Sequence, residues 1–290
     1  VIKIRDLKVS SFSLDSQDLL WEIEETLEDV RDYDFFIQRS EGQEGPFDTI
    51  GGPLVDQYSF RDVQAPAYNR ERQHLYRIRI VKRDTGLESF SSVEFQIAPQ
   101  DLIAAEIQRS EFLRLREYVG RKVFIFQKRT FGQRCLTCWD PIKQRLTVSS
   151  CPECFNTGFS RGFMRPVSTY MQIDPATGLA GQAEQLSDLG KTQHSIVRGR
   201  TILHIIMKSG DLVMELENIR WRITGTLVSD HIRHPVTQDV TMMRIPETDI
   251  EYSIPLAGVD PATFQASPAR AFRNPMNIDA VLKESERISV

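Results

Sequence analysis

At 290 residues, 40% of them hydrophobic and 26% charged, the chain has enough apolar material for two or three domains with cores of their own, which excludes wholesale disorder. Its formal net charge of -4 argues against a protein whose main task is to coat nucleic acid, while leaving room for local basic patches. No run approaches the ~18 apolar residues that span a bilayer, and the chain opens without a charged-then-apolar leader. A soluble protein made inside the cell, with no membrane partner, is expected.

Over residues 1–99, short alternating segments are separated by turn residues, the pattern of a small all-β domain. Candidate strands cover 3–9, 19–25, 34–39, 57–62, 75–82 and 90–97, and the intervening stretches 41–46 and 83–86 carry the residues that turns demand. Leu19-Leu20-Trp21-Glu22-Ile23 resembles the second strand of a fibronectin type III domain. Tyr76-Arg77-Ile78-Arg79-Ile80, followed by Asp84-Thr85-Gly86 and Ser89-Phe90-Ser91, resembles its paired late strands. The resemblance implies a sandwich of six or seven strands in which Trp21 anchors the core and Tyr76 closes it. Tyr33, Phe35, Phe36, Tyr58 and Phe60 are expected to pack rather than to bind, because alternating aromatics in a sandwich are core residues.

A connecting helix is expected over 100–121. Asp101 can cap its free N–H groups, Leu102, Ile103, Ile107, Phe112, Leu113 and Leu115 recur at helical spacing, and Gly120 ends it. Arg114, Arg116, Arg121 and Lys122 gather at the end where the helix dipole favours cations; a phosphate site is the competing reading.

All four cysteines lie in the next segment, 122–173. Cys135 and Cys138 form one C-x2-C pair, and Cys151 and Cys154 a second, with twelve residues between the pairs. That spacing brings four thiolates to the corners of a tetrahedron, so one structural Zn2+ is the expected cofactor. Iron remains chemically open because the ligands are the same. A disulfide pair would suit an oxidising compartment, and a thioredoxin-like site would leave the second pair without a role. Two knuckles on strand tips resemble a zinc ribbon. Cys151-Pro152-Glu153-Cys154-Phe155-Asn156-Thr157-Gly158 also resembles half of the cysteine-rich repeat of J-domain co-chaperones, with Asn156 where a glycine would stand in the left-handed region. Arg129, Arg134, Lys143 and Arg145, interleaved with Phe131, Trp139, Phe155 and Phe159, either screen the charge of a four-thiolate centre and build a minimal core, or contact nucleic-acid phosphates.

Residues 174–195, rich in Gly and Ala, read as a loop excursion. From 196 to 256, candidate strands at 201–207, 212–216, 218–224, 226–229 and 240–245 make a small antiparallel barrel or meander, with a turn at 208–211. His204, His231 and His234 lack companions at ligand spacing, and no phosphate loop or hydrolase signature is present, so no enzyme is expected. Ser209-Gly210-Asp211 before a strand, then Asn218-Ile219-Arg220-Trp221-Arg222-Ile223-Thr224 and the run 245–255, resemble the small β-barrel adaptor, stopper and neck proteins of tailed bacteriophages. Residues 257–290 lose periodicity and are expected to form an extended arm, with Phe264, Phe272 and Met276 as assembly anchors.

The expected fold class is therefore mainly β: an N-terminal fibronectin III-like β-sandwich, a connecting α-helix, a small four-cysteine zinc module, a C-terminal antiparallel β-barrel and an extended tail. The phage resemblance implies a non-enzymatic structural subunit of the virion, made in the host cytoplasm. It would form a homo-oligomeric ring in the neck or head-tail connector, beside connector, tail or collar subunits. The alternatives are a nucleic-acid-binding zinc-ribbon protein with possible DNA contact, a tail or baseplate adhesion component, and a secreted adhesin with disulfides in place of zinc.

Overall fold

The computed structural model describes residues 2–255 except 14, 15, 43, 44, 66–73, 96–101, 149, 176–181, 188, 189, 204, 216, 217, 232 and 233. The tail anchors Phe264, Phe272 and Met276, the arm that carries them, Asp101 and His204 lie outside the described residues. The chain is mainly β with one short α-helix, as expected. No helix among the described residues is long and apolar enough to cross a membrane.

The N-terminal strands alternate inward aromatics and aliphatics with outward polar residues, and this alone requires a second sheet to cover the apolar face. Strands β1 (Ile4–Ser13), β2 (Ser16–Ile23) and β5 (Ser59–Asp62) form one sheet in the order β1-β2-β5. Opposite it lie β4 (Asp48–Leu54), β3 (Tyr33–Ser40), β6 (Leu75–Lys82) and β7 (Glu88–Phe90) in that order, with β8 (Glu94–Phe95) also on β6. Leu19, Trp21 and Ile23 meet Tyr33, Phe35, Ile37, Tyr76, Ile78 and Ile80 in a core where none is more than 2% exposed. The Tyr76 hydroxyl donates to Asp62 at 3.0 Å, and Arg39 pairs with the same carboxylate at 2.7 Å. The sandwich, the inward Trp21 and the buried Tyr76 match what the fibronectin resemblance implies. The candidate strands omitted β4, whose Gly51-Gly52-Pro53 reads as a turn. A Cβ on Gly51 would lie 2.4 Å from the Phe60 ring; Gly52 has φ +117°, and a Cβ there would lie 2.7 Å from the Phe35 carbonyl, so close packing explains the first glycine and backbone conformation with packing the second.

Helix α1 (Leu102–Arg114) continues as one π-helical turn, Leu115–Val119, and the Gly120 N–H closes it on the Leu115 carbonyl at 2.8 Å. A Cβ at Gly120 would sit 2.3 Å from that oxygen. The helix buries a different face from the one its large apolar residues mark. Ala104, Ala105 and Gln108 pack inward, whereas Leu102, Ile103, Ile107 and Leu113 are 37–60% exposed. The small alanines let the helix approach the strands Gly190–Ile202 and His234–Arg244 as well as β1, and the Gln108 side chain donates to the Leu203 carbonyl at 2.8 Å.

The second half closes on itself. Strands β9 (Arg121–Phe126), β12 (Val167–Pro175), β14 (Gly190–Ile202), β15 (Leu212–Met214), β16 (Arg220–His231) and β17 (His234–Arg244) run β12-β9-β15-β16-β17-β14, and β14 pairs back onto β12. The result is a closed six-stranded antiparallel barrel, which leaves neither terminal strand of the series open. Val123, Ile125, Met171, Met207, Val213, Trp221, Ile223, Val240 and Met242 fill it. The β16–β17 register slips between Ile223 and Gly225, the kind of bulge that sharpens strand bending for closure.

Two sequence boundaries change. The segment 122–173 is not one module: β9 and β12 are neighbouring barrel staves, pairing Val167 with Ile125, and residues 127–166 are an insertion between them. Within 174–195, expected as a loop, β13 (Gln182–Ser187) and the start of β14 form a hairpin. Backbone pairing builds that hairpin from residues whose composition lacks an alternating apolar signal.

The Lys208–Asp211 turn forms as expected, with Gly210 at φ +93°. Asp211 is 3% exposed and accepts the backbone N–H groups of Lys128 at 2.8 Å and Lys208 at 2.7 Å, tying the insertion's entry to the barrel. Burial raises its carboxyl above the usual Asp value, against these two donors, which lower it. The native state therefore keeps this proton to higher pH than the unfolded chain, so the group's contribution to stability declines as pH rises from the ordinary Asp value through the native one. Asp211→Ala removes the acceptor of the Lys128 and Lys208 N–H groups and is expected to cost about 1–3 kcal/mol in urea titrations at neutral pH. It should also remove this group's part of the acid-side slope of stability with pH.

Candidate metal centre

Each C-x2-C pair forms a tight turn. The Trp139 N–H closes the first on the Cys135 carbonyl at 3.1 Å, and the Phe155 N–H closes the second on the Cys151 carbonyl at 2.9 Å. The short ladder of β10 (Trp139–Asp140) and β11 (Arg145–Leu146) spans the segment between them. In the second turn Phe155 and Asn156 both take left-handed backbone, at φ +48° and +63°, and the Asn156 side chain accepts the Cys151 N–H at 3.2 Å. Asn156 thus fills the role the sequence assigned to it. Gly162, at φ +66°, passes so close beneath this turn that a Cβ would lie 2.5 Å from the Cys154 carbonyl.

These turns bring the four sulfurs together. All lie within 4.8 Å of one another and each cysteine is at most 1% exposed. The Cys135–Cys151 sulfurs are 3.8 Å apart and the Cys138–Cys154 sulfurs 3.3 Å, too far for covalent bridges and close to the ~3.8 Å edge of a tetrahedron with ~2.3 Å metal–sulfur bonds. Among the described residues this is the one group of ligating side chains positioned to share an ion. Burial pushes the Cys135 and Cys138 thiols above their ordinary range. At Cys151 burial acts the same way, but the N–H groups of Cys154 and Glu153 outweigh it and the thiol falls below that range. A metal ion is the group this cage fits: four soft sulfur ligands gathered at one point would hold it as thiolates, and its charge would offset theirs.

The insertion has little core of its own and borrows one from the sandwich. Phe131 joins the sandwich core with its ring at 5.0 Å and 90° to Tyr58, and Met164 packs against the same cluster. Backbone pairing extends the join: the Thr26 N–H donates to the Gly132 carbonyl at 3.2 Å, and the Arg134 N–H to the Thr26 carbonyl at 2.9 Å.

The structure separates the four candidate phosphate contacts. Arg129 is 5% exposed; its two amino groups bind the Asp56 carboxylate at 2.9 and 2.7 Å, and its Nε donates to the Phe163 carbonyl at 3.1 Å. Arg161 also reaches Asp56. Arg134 lies between two rings, 3.9 Å from Trp139 and 4.2 Å from Phe159, and makes a two-point pair with Glu25 at 2.7 and 3.0 Å. Lys143 and Arg145 are exposed on the β10–β11 hairpin, and Lys143 lies 3.9 Å from Asp140. Sequence reasoning missed Asp56, Glu25 and Thr26, which stand more than seventy residues from their partners and leave no local signal.

Protein-family models give no match to this chain, and neither do curated proteins.

Loading the cysteine cage with metal and then stripping it with a chelator is expected to expose the amides of 134–163 to hydrogen exchange, while β16 and β17 keep their protection. Asp56→Ala strands Arg129 as a buried charge and is expected to cost about 3–5 kcal/mol, read as a lower denaturation midpoint.

Proposed function

We propose that Cys135, Cys138, Cys151 and Cys154 hold one structural Zn2+ and that the chain is a non-enzymatic building block of a tailed-phage virion. Its place would be an oligomeric ring in the neck or head-tail connector, beside connector, tail or collar subunits, after synthesis in the host cytoplasm. An all-cysteine site of four ligands leaves no position for water or substrate, which suits a staple. Soft thiolates favour zinc over harder divalent ions, and elemental analysis of the purified chain separates zinc from iron.

The observation that carries the assembly reading is apolar surface left uncovered on α1. Leu102, Ile103, Ile107 and Leu113 face outward along the helix, and Tyr118, 79% exposed, follows in the π turn. Contiguous exposed apolar surface of this kind marks protein contacts. The closed barrel, the sandwich appendage and the stapled joint between them suit a rigid subunit that acts through its interfaces. The nucleic-acid reading, by contrast, retains Lys143 and Arg145 but has Arg129 and Arg134 already engaged within the chain.

Sedimentation and negative-stain electron microscopy of the metal-loaded full chain test this reading. The expected result is a concentration-dependent closed ring of fixed stoichiometry. A monomer at every concentration that binds DNA with steep salt dependence would overturn it in favour of the nucleic-acid reading.

A further inference from the structure

Charge is distributed very unevenly along the chain. Residues 1–99 carry nineteen Asp and Glu against twelve Lys and Arg, a net of -7, whereas 121–173 carry two against nine, a net of +7. Part of this difference is settled inside the chain by the Asp56 and Glu25 pairs and by Arg121 with Glu215.

On the basic side the β10–β11 hairpin presents a single apolar knob. Ile142 is 92% exposed at its turn, with Lys143 and Arg145 exposed beside it. The turn is fixed: the Asp140 carboxylate accepts the N–H groups of Ile142 at 2.9 Å and Lys143 at 3.2 Å, and Gln144 takes left-handed backbone at φ +49°. A large aliphatic side chain held rigidly in water is placed to enter a partner.

On the acidic side, β7 ends its sheet, and among the described residues no strand pairs with its outer edge; the Ser89 hydroxyl donates to the Ile2 carbonyl at 3.3 Å. Around it Leu87, Phe90, Val93 and Phe95 are 37–54% exposed. Residues 84–95 hold three carboxylates, Asp84, Glu88 and Glu94, and no basic residue. Arg79 reaches Glu88 at 3.4 Å, and Arg77 covers one face of Phe90 at 4.6 Å; both come from β6. An open, apolar strand edge of this kind is a template for another chain.

We infer that the β10–β11 hairpin of one copy docks on the β7–β8 edge of the next copy, Ile142 entering among Leu87, Phe90 and Val93 while Lys143 and Arg145 face Glu88 and Glu94. The inference rests on the ring reading and deepens it. Hairpin and edge are different surfaces of the same chain, complementary in sign and both apolar at the centre, so the contact is head-to-tail. Repetition of such a contact closes a ring when the rotation permits. Like-signed surfaces, hairpin to hairpin or edge to edge, repel, which sets the register of the contact.

The test uses the full metal-loaded chain with a benzophenone amino acid at position 142, a site exposed enough to leave folding undisturbed. Light and heavy isotope-labelled copies are mixed so that links between copies are distinguished from links within one. Links between copies into 84–95, formed in the assembled fraction, are the expected result. The double variant Lys143→Glu, Arg145→Glu should shift assembly to about tenfold higher concentration. Adding Glu88→Lys and Glu94→Lys should restore it. Rings whose links map elsewhere, or whose charge reversals are not rescued, overturn this contact and leave the ring reading intact. A chain that stays monomeric overturns both.

Discussion

The join between sandwich and insertion turns on the carboxylate of Asp56, which binds both amino groups of Arg129 at a site where each side chain is at most 6% exposed. A charge that deep is tolerated only when its partner is held in place, so the pair fixes the insertion against the sandwich wherever else the chain might move. The surrounding contacts share this geometry. Phe131 meets Tyr58 edge-on, the Tyr58 hydroxyl donates to Asp56 at 3.1 Å, and Arg129 holds the Phe163 carbonyl where the chain returns toward β12.

With its base held this way, the insertion has only its cysteine-bearing tip left to order. About forty residues between two barrel strands cannot enclose a core of ordinary size. This segment obtains one by lending Phe131 and Met164 to the sandwich and by gathering its cysteines around a common point. Arg134 links the two solutions, since its guanidinium lies between Trp139 and Phe159 on the cysteine side and pairs with Glu25 on the sandwich side. The four candidate phosphate contacts thus divide into two that build the joint, Arg129 and Arg134, and two that are exposed, Lys143 and Arg145.

The barrel supplies the rigid frame to which the insertion and α1 are fastened. Arg220 is 4% exposed and donates to the Glu251 and Ile254 carbonyls at 2.7 and 3.1 Å, while Arg222 pairs with Asp249 and Glu251. Together they pin the chain across the barrel up to the last described residues.

Much of this was legible in the sequence where the signal is local. Alternation gave the inward residues of β2, β3 and β6, the cysteine spacing gave the four sulfurs, and Ser209-Gly210-Asp211 gave the turn before β15. Asn156 could be placed in left-handed backbone because few residues tolerate it. What the sequence by itself could not determine depends on pairs distant in the chain. That β9 and β12 are staves of the barrel rather than parts of the cysteine module follows from backbone pairing across forty residues, and hydrogen bonds between main chains carry no sequence mark. That α1 turns its alanines inward and its leucines and isoleucines outward was decided by how close the barrel and β1 come to it. That Arg129 is a buried structural cation was decided by Asp56, seventy-three residues earlier, because only the folded chain brings opposite charges together out of water.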